Sequence, residues 1–315
     1  MARLATGVRV AIHRKSVMLG GLLLVIAVVA AVQALQPRAP KFSGLDRALV
    51  DLEEAVRANP QDVSTRLTVS QAYGERGLYA RAAEQFGQVL VLDKDNQIAL
   101  VGLGKVKLQL KDYAAAEQAL QRVIELNAGA ERRLAIDQLQ EAQYYLALTY
   151  VALNQHDAAA TAAREALTMN GSDADTWRVL GDIEQRRGDY AAAEKAYMYA
   201  ISYVPNYAEV YRDLERMYGI TKRDGARQWA QGMVMLAERS PDKAIGRLED
   251  AVRYEPEFAE AHQGLAMAYE SAGRLDDAVA SYRRALELSP NLFLSRDAIR
   301  RLEALIASRP SGGSR

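Results

Sequence analysis

The hexapeptide Asp-Tyr-Ala-Ala-Ala-Glu occurs at 112–117 and again at 189–194, 77 residues apart. The flanking positions repeat as well, so the two copies are one structural part used twice. A frame of 34 residues starting at Val63 accommodates both. In 63–96 its marks are Val69, Tyr73, Gly77, Ala82 and Phe86; in 97–130 they are Leu103, Gly104, Ala116 and Leu120. In 174–207 they are Trp177, Leu180, Gly181, Gly188, Ala193, Tyr197 and Pro205; in 259–292, His262, Leu265, Tyr269, Gly273, Ala278, Tyr282 and Pro290. Weaker copies occupy 140–173 and 225–258. Two periods leave nine residues of the 77 over. They fall at 131–139, a stretch without Gly or Pro that reads as a forward extension of the next helix. Ala, Leu, Glu, Gln and Arg dominate the composition, all good helix formers.

These marks match W-x2-L-G-x2-Y…A-x3-F…P, and the chain resembles the tetratricopeptide-repeat (TPR) family over about residues 45–292, with 177–205 the nearest match. The resemblance implies an all-α, right-handed superhelical solenoid of about six full repeats, each a pair of antiparallel helices. Its expected divisions are a half repeat at 45–62, repeats at 63–96, 97–130, 131–173 (with the extended first helix), 174–207, 225–258 and 259–292, and a capping helix at 293–308, together a solenoid at 45–308. A lone helix at 208–224, half a period long, interrupts the series; a degenerate helix pair is the other reading. Small residues (Ala82, Ala116, Ala193, Ala278) are expected where helices approach, since larger ones would overpack. Large ones (Phe86, Leu120, Tyr197, Tyr282) are expected to fill the space between units. Gly77, Gly188 and Gly273 supply left-handed ends to first helices, and Pro205, Pro256 and Pro290 stop second ones. Ser295 reads as the N-cap of the terminal helix.

The N-terminus differs in kind. Residues 16–35 hold no charged side chain, and about 20 residues of helix span about 30 Å, one hydrocarbon thickness. A basic tail (1–15), a transmembrane helix (16–36) and a linker (37–44) are expected, with lipid-bilayer contact through 16–35. Arg3, Arg9, Arg14 and Lys15 precede the span, which places the N-terminus in the cytoplasm and the repeats outside, periplasmic or on the outer face. A signal peptide cleaved after Ala34 is the competing reading, and the length of the run favours the anchor. Arg38, Lys41 and Arg47 follow the span and leave an inverted topology open. Residues 309–315 read as a disordered tail.

Forty basic and forty acidic residues cancel, so no global field draws the chain to nucleic acid. With no cysteine, disulfides and thiolate chemistry are excluded. The three histidines read as a tail residue (His13), a turn residue (His156) and an occupant of the Trp177 slot (His262). Gly-Leu-Gly-Lys at 102–105 lacks the strand and spacing of a phosphate loop. No catalytic set, cofactor site or metal site is expected, and the chain reads as a non-enzyme. In the family, first helices line a groove that takes polypeptides. Here the slots give Val101, Lys105, Tyr144, Tyr145, Leu148, Arg178, Asp182, Trp229 and Met233, apolar and aromatic in the middle; packing under the extended helix explains Tyr144, Tyr145 and Leu148 equally well. Tyr199, Tyr203 and Tyr207 form a second contact candidate, since tyrosine is enriched at interfaces. The expected function is a membrane-anchored scaffold that binds partner polypeptides for assembly or maturation of an envelope or membrane complex. A c-type cytochrome assembly factor and a permanent structural subunit are the alternatives.

Overall fold

The computed structural model describes residues 44–129 and 136–308. The tail, the transmembrane helix and nearly all of the linker expected before Gly44 lie outside the described residues, as do 131–135 of the helix extension and the tail 309–315. Among the described residues all regular structure is helical: fifteen helices and no strand. None of these is long and apolar enough to cross a membrane.

Two compact units divide at Ala58. The described part of the first is α1 (Gly44–Ala58). The second carries the paired helices. These are α2 (Val63–Glu75) with α3 (Tyr79–Leu92), α4 (Gln97–Gln109) with α5 (Tyr113–Leu126), α6 (Ile136–Ala152) with α7 (His156–Met169), and α8 (Ala174–Arg187) with α9 (Tyr190–Tyr203). Then follow α10 (Ala208–Thr221), α11 (Asp224–Ala237), α12 (Pro241–Tyr254), α13 (Ala259–Ser271), α14 (Leu275–Leu288) and α15 (Phe293–Ala307). At 17 residues α6 outruns the other first helices, which run to 13–15.

The backbone marks the repeat without reference to side chains. Positive φ occurs at Gly77, Lys111, Asn154, Gly188, Lys222, Arg239 and Gly273, each in the turn after a first helix. Successive steps are 34, 43, 34, 34, 17 and 34 residues. The step of 43 holds the insertion before α6. The step of 17 means that α10 and α11 both end as first helices do. Helix α11 is therefore the second member of a hairpin with α10 and the first member of a hairpin with α12. By contrast α9 and α10 pack less closely than any other consecutive helices of this unit.

Four of these seven positions carry a side chain where glycine alone avoids steric cost. A non-glycine residue in the left-handed region costs about 1–2 kcal/mol, and glycine's extra unfolded-state entropy returns about 0.5–1 kcal/mol of that. Lys222→Gly is expected to stabilise the protein by about 0.5–1 kcal/mol in denaturant unfolding, while Gly188→Ala destabilises it by a similar amount. Equal midpoints for both variants would contradict the assignment of this turn.

Small and large residues then pair by position. Ala82, Ala116, Ala193 and Ala278 are fully buried. Of the large residues expected between units, Phe86 faces Gly102 of the next first helix, while Leu120 and Tyr197 face Gly104 and Gly181 of their own; Leu248 likewise faces Gly232 of its own first helix and also touches Gly264 of the next. A Cβ at Gly181 would stand 2.5 Å from the Tyr197 ring. Glycine thus makes room for the bulk of the second helix both within the repeat and against the next one.

A second recurring device ties several first helices to the turn before them. One turn into the helix, a side chain donates to the carbonyl six residues earlier: Arg66 Nε to Pro60 O (2.7 Å), Trp177 Nε1 to Gly171 O (2.8 Å), Tyr211 Oη to Pro205 O (2.9 Å) and His262 Nε2 to Pro256 O (2.9 Å). His262 is accounted for as one more occupant of this slot. The N-cap of the terminal helix lies three residues ahead of the expected one. Leu292, not Ser295, is its N-cap, and Ser295 is buried inside α15, where its Oγ accepts from Gln263 Nε2 at 3.1 Å.

Buried residues form two clusters, one over α4–α9 and one over α8–α15. They overlap at α8 and α9, just ahead of the half-period step.

Candidate functional site

The residues expected to form one groove fall into two. Upstream, Val101 and Lys105 on α4 help line a cavity of about 400 Å³ with Gln71 and Glu75 of α2 and Gln138 and Glu141 of α6. Lys105 Nζ lies 5.4 Å from the centroid of the Tyr145 ring. A hydrogen bond to the Tyr145 oxygen holds its pKa above the ordinary lysine value against desolvation. Tyr144 meets Tyr145 edge to face at 5.1 Å, and Leu148, one turn on, is half-buried like both rings. Val101 itself is core.

Arg178 and Asp182 of α8 are already engaged. Arg178 Nε donates to Asp213 Oδ2 at 2.6 Å, and Arg216 donates to the other oxygen of the same buried carboxylate. Asp182 accepts from Arg186 Nε at 2.9 Å. This set therefore fastens α8 to α10, an arrangement that a first-helix slot pattern does not reveal because both partners look like exposed groove charges. The tyrosines of the second candidate have different surroundings. Tyr199 stacks on Trp177 at 4.5 Å, Tyr207 donates to Asp175 and lies under Arg178, and Tyr203 projects into solvent, 47% exposed.

Downstream, Trp229 and Met233 of α11 floor a separate groove of about 760 Å³. It shares no lining residue with the upstream cavity. First helices α11, α13 and α15 contribute Met233, Met267, Phe293 and Leu294, as the repeat pattern requires. Met198 and Ile201 come from α9, a second helix. This mixture follows from the step of 17: once α11 takes over as first helix, the groove-lining series downstream meets the second-helix series upstream. Phe293 and Leu294 are 66% and 69% exposed. Sequence reasoning missed Met198, Ile201, Phe293 and Leu294; the half-period step was the signal that could have found them.

Tyrosine hydroxyls carry the clearest electrostatic consequence. Burial pushes Tyr144 up to about 12, and burial with the Asp175 hydrogen bond does the same for Tyr207. Burial leads in raising Tyr197, Tyr211, Tyr218 and Tyr282 further. A hydroxyl whose folded pKa exceeds its unfolded value near 10 favours folding while neutral. That contribution is complete below about pH 10 and is lost as pH rises toward about 12. Tyrosinate absorbance and loss of helical circular dichroism are expected to rise together above about pH 10. Titration of these hydroxyls with helicity intact would contradict their burial.

Among the described residues no cluster of His, Asp and Glu could hold a metal ion.

A family model described as the tetratricopeptide repeat protein 21 C-terminal ARM domain matches residues 52–210, and one described as tetratricopeptide repeat matches 230–292. The interval between the two matches contains the turn from α10 to α11. No curated protein matches the sequence. Among solved structures, MamA is 26% identical over 52% of this chain and 91% of its own, with a TM-score of 0.45. A tetratricopeptide repeat protein from Parabacteroides merdae is 16% identical over 82% and 92%, with a TM-score of 0.45. Pseudomonas aeruginosa PilF is 16% identical over 69% and 87%, with a TM-score of 0.49.

Proposed function

The chain belongs to the tetratricopeptide-repeat family, and from that premise we propose that it is a membrane-tethered scaffold whose repeats hold a partner polypeptide beside the bilayer. The observation that carries this reading is the downstream groove. Large apolar side chains left in water at the rim of a concave apolar surface mark an interaction site, and Phe293 and Leu294 stand there beside Met267. The tether is residues 16–35, and the positive residues before it put the repeats on the outer face. A scaffold in that position serves assembly or maturation of an envelope or membrane complex.

A photocrosslinking side chain in place of Met267, in the full-length chain in native membranes, is expected to give discrete polypeptide adducts. Adding Met233→Glu should abolish them. The same probe at Lys243, on the exposed face of α12, should give none. A uniform smear from both positions, or adducts indifferent to Met233→Glu, would sink the binding claim. The topology claim has its own test: with no native cysteine, Ser308→Cys reacts with a membrane-impermeant maleimide added outside if the repeats are external, and stays unlabelled if they face the cytoplasm.

A further inference from the structure

We infer that the downstream groove takes the apolar face of a basic amphipathic α-helix from a partner protein, and that Glu260 selects the basic side chain beside that face. The inference rests on the reading that this groove binds polypeptide, and deepens it.

Consider first what the groove offers a backbone. An extended peptide brings unpaired N–H and C=O groups that need partners once buried. One of the two side-chain amides of the lining, Gln263, already donates to Ser295 Oγ at 3.1 Å. The floor is otherwise Met198, Ile201, Trp229, Met233 and Met267; of the remaining uncharged polar side chains of the lining, Ser202 already donates to Tyr199 O, which leaves Ser271 and Asn291. A helix pairs its own backbone internally and needs only apolar contact. Three unbranched, polarisable methionines suit that contact, since they repack around side chains of different shape. Three first helices, α11, α13 and α15, line the groove, and at a helix diameter of about 10 Å they give a floor on the order of 20 Å long. That accommodates about three turns of helix at 1.5 Å per residue.

Charge then fixes the sign of the partner. The ionisable groups of the lining are Glu260, Glu270, Asp297 and Arg301. Glu270 pairs with Arg301 at 2.7 Å and Asp297 with Arg300. Glu260 makes no ion pair among the described residues and lies in the first turn of α13. There it stands at the edge of the apolar lining. A half-buried carboxylate without a cation attracts a Lys or Arg flanking the docked face and repels an acidic one.

The test uses the full-length chain in phosphatidylcholine nanodiscs and fluorescein-labelled synthetic peptides of about 14 residues. One peptide carries a leucine stripe flanked by Lys, a second the same stripe flanked by Glu, and a third the first composition with a central proline. Anisotropy is expected to show binding of the Lys-flanked helix, with the Glu-flanked helix weaker by about threefold to tenfold at low salt. Glu260→Lys should reverse that order. Met198→Glu, which places a charge on the α9 wall, should remove binding of both. The inference is overturned if the proline peptide binds as well as the helix. It is equally overturned if Glu260→Lys leaves the order unchanged, or if Met198→Glu leaves binding intact. Should no peptide bind while Met267 still crosslinks in membranes, this inference falls and the scaffold reading survives; if both fail, both fall.

Discussion

Ala193→Arg is expected to abolish cooperative folding of the repeats around α8 and α9. Ala193 has no exposed surface, and the adjacent Tyr197 ring already fills the space over Gly181. Inserting a long side chain costs about 1–3 kcal/mol for overpacking alone. Burying its unpaired guanidinium adds several kcal/mol. In a stacked array each repeat is held mainly by its neighbours, so the loss of one contact propagates to both sides. Thermal unfolding followed by circular dichroism should show a broad, early transition. Lys195→Arg, two residues along and exposed, is the matched control and should melt like the parent. Equal melting of the two variants would refute the repeat alignment at this helix.

Trp229→Ala carries the second largest effect, because this ring joins three elements at the half-period step. It meets Tyr211 of α10 edge to face at 5.7 Å and Phe258, before α13, at 5.4 Å. Truncating a buried Trp costs about 3–5 kcal/mol. The loss should appear first as local unfolding of α10 to α13, read as faster amide exchange there than in α2 to α5. Trp229→Phe keeps most of the contact and should recover about half of the stability. If exchange rises evenly along the chain, or not at all, the ring does not hold this junction.

The features legible in the sequence were those set by shape at close contact. Ala193 and Ala278 stand where only small residues fit, and Gly77, Gly188 and Gly273 where the backbone turns left-handed. The remaining left-handed positions, Lys111, Asn154, Lys222 and Arg239, were hidden because local strain there is tolerated rather than relieved. That concealed the meaning of the 17-residue step: 208–224 reads as a lone helix until Lys222 and Arg239 show that two first-helix ends follow one another. Joining Val101 and Lys105 to Trp229 and Met233 in one groove followed from the same gap. Charge pairing between helices was not legible either. Asp213 and Arg216 stand three residues apart on α10 and read as a pair, but Arg178 lies 35 residues before Asp213, on α8, and nothing in the sequence joins it to them.

The shared role of α11 is the claim on which the two separate grooves depend, and a chain without native cysteine allows it to be measured directly. Arg212 of α10 reaches Glu238, at the end of α11, at 2.6 Å, and Gln228 of α11 reaches Arg247 of α12 at 3.1 Å. A short bismaleimide should bridge Arg212→Cys to Glu238→Cys, and in a second variant Gln228→Cys to Arg247→Cys, each within a single monomer and in comparable yield. Efficient bridging of the second pair with none of the first would mean that α10 stands apart from α11, and the half-period step would not be there.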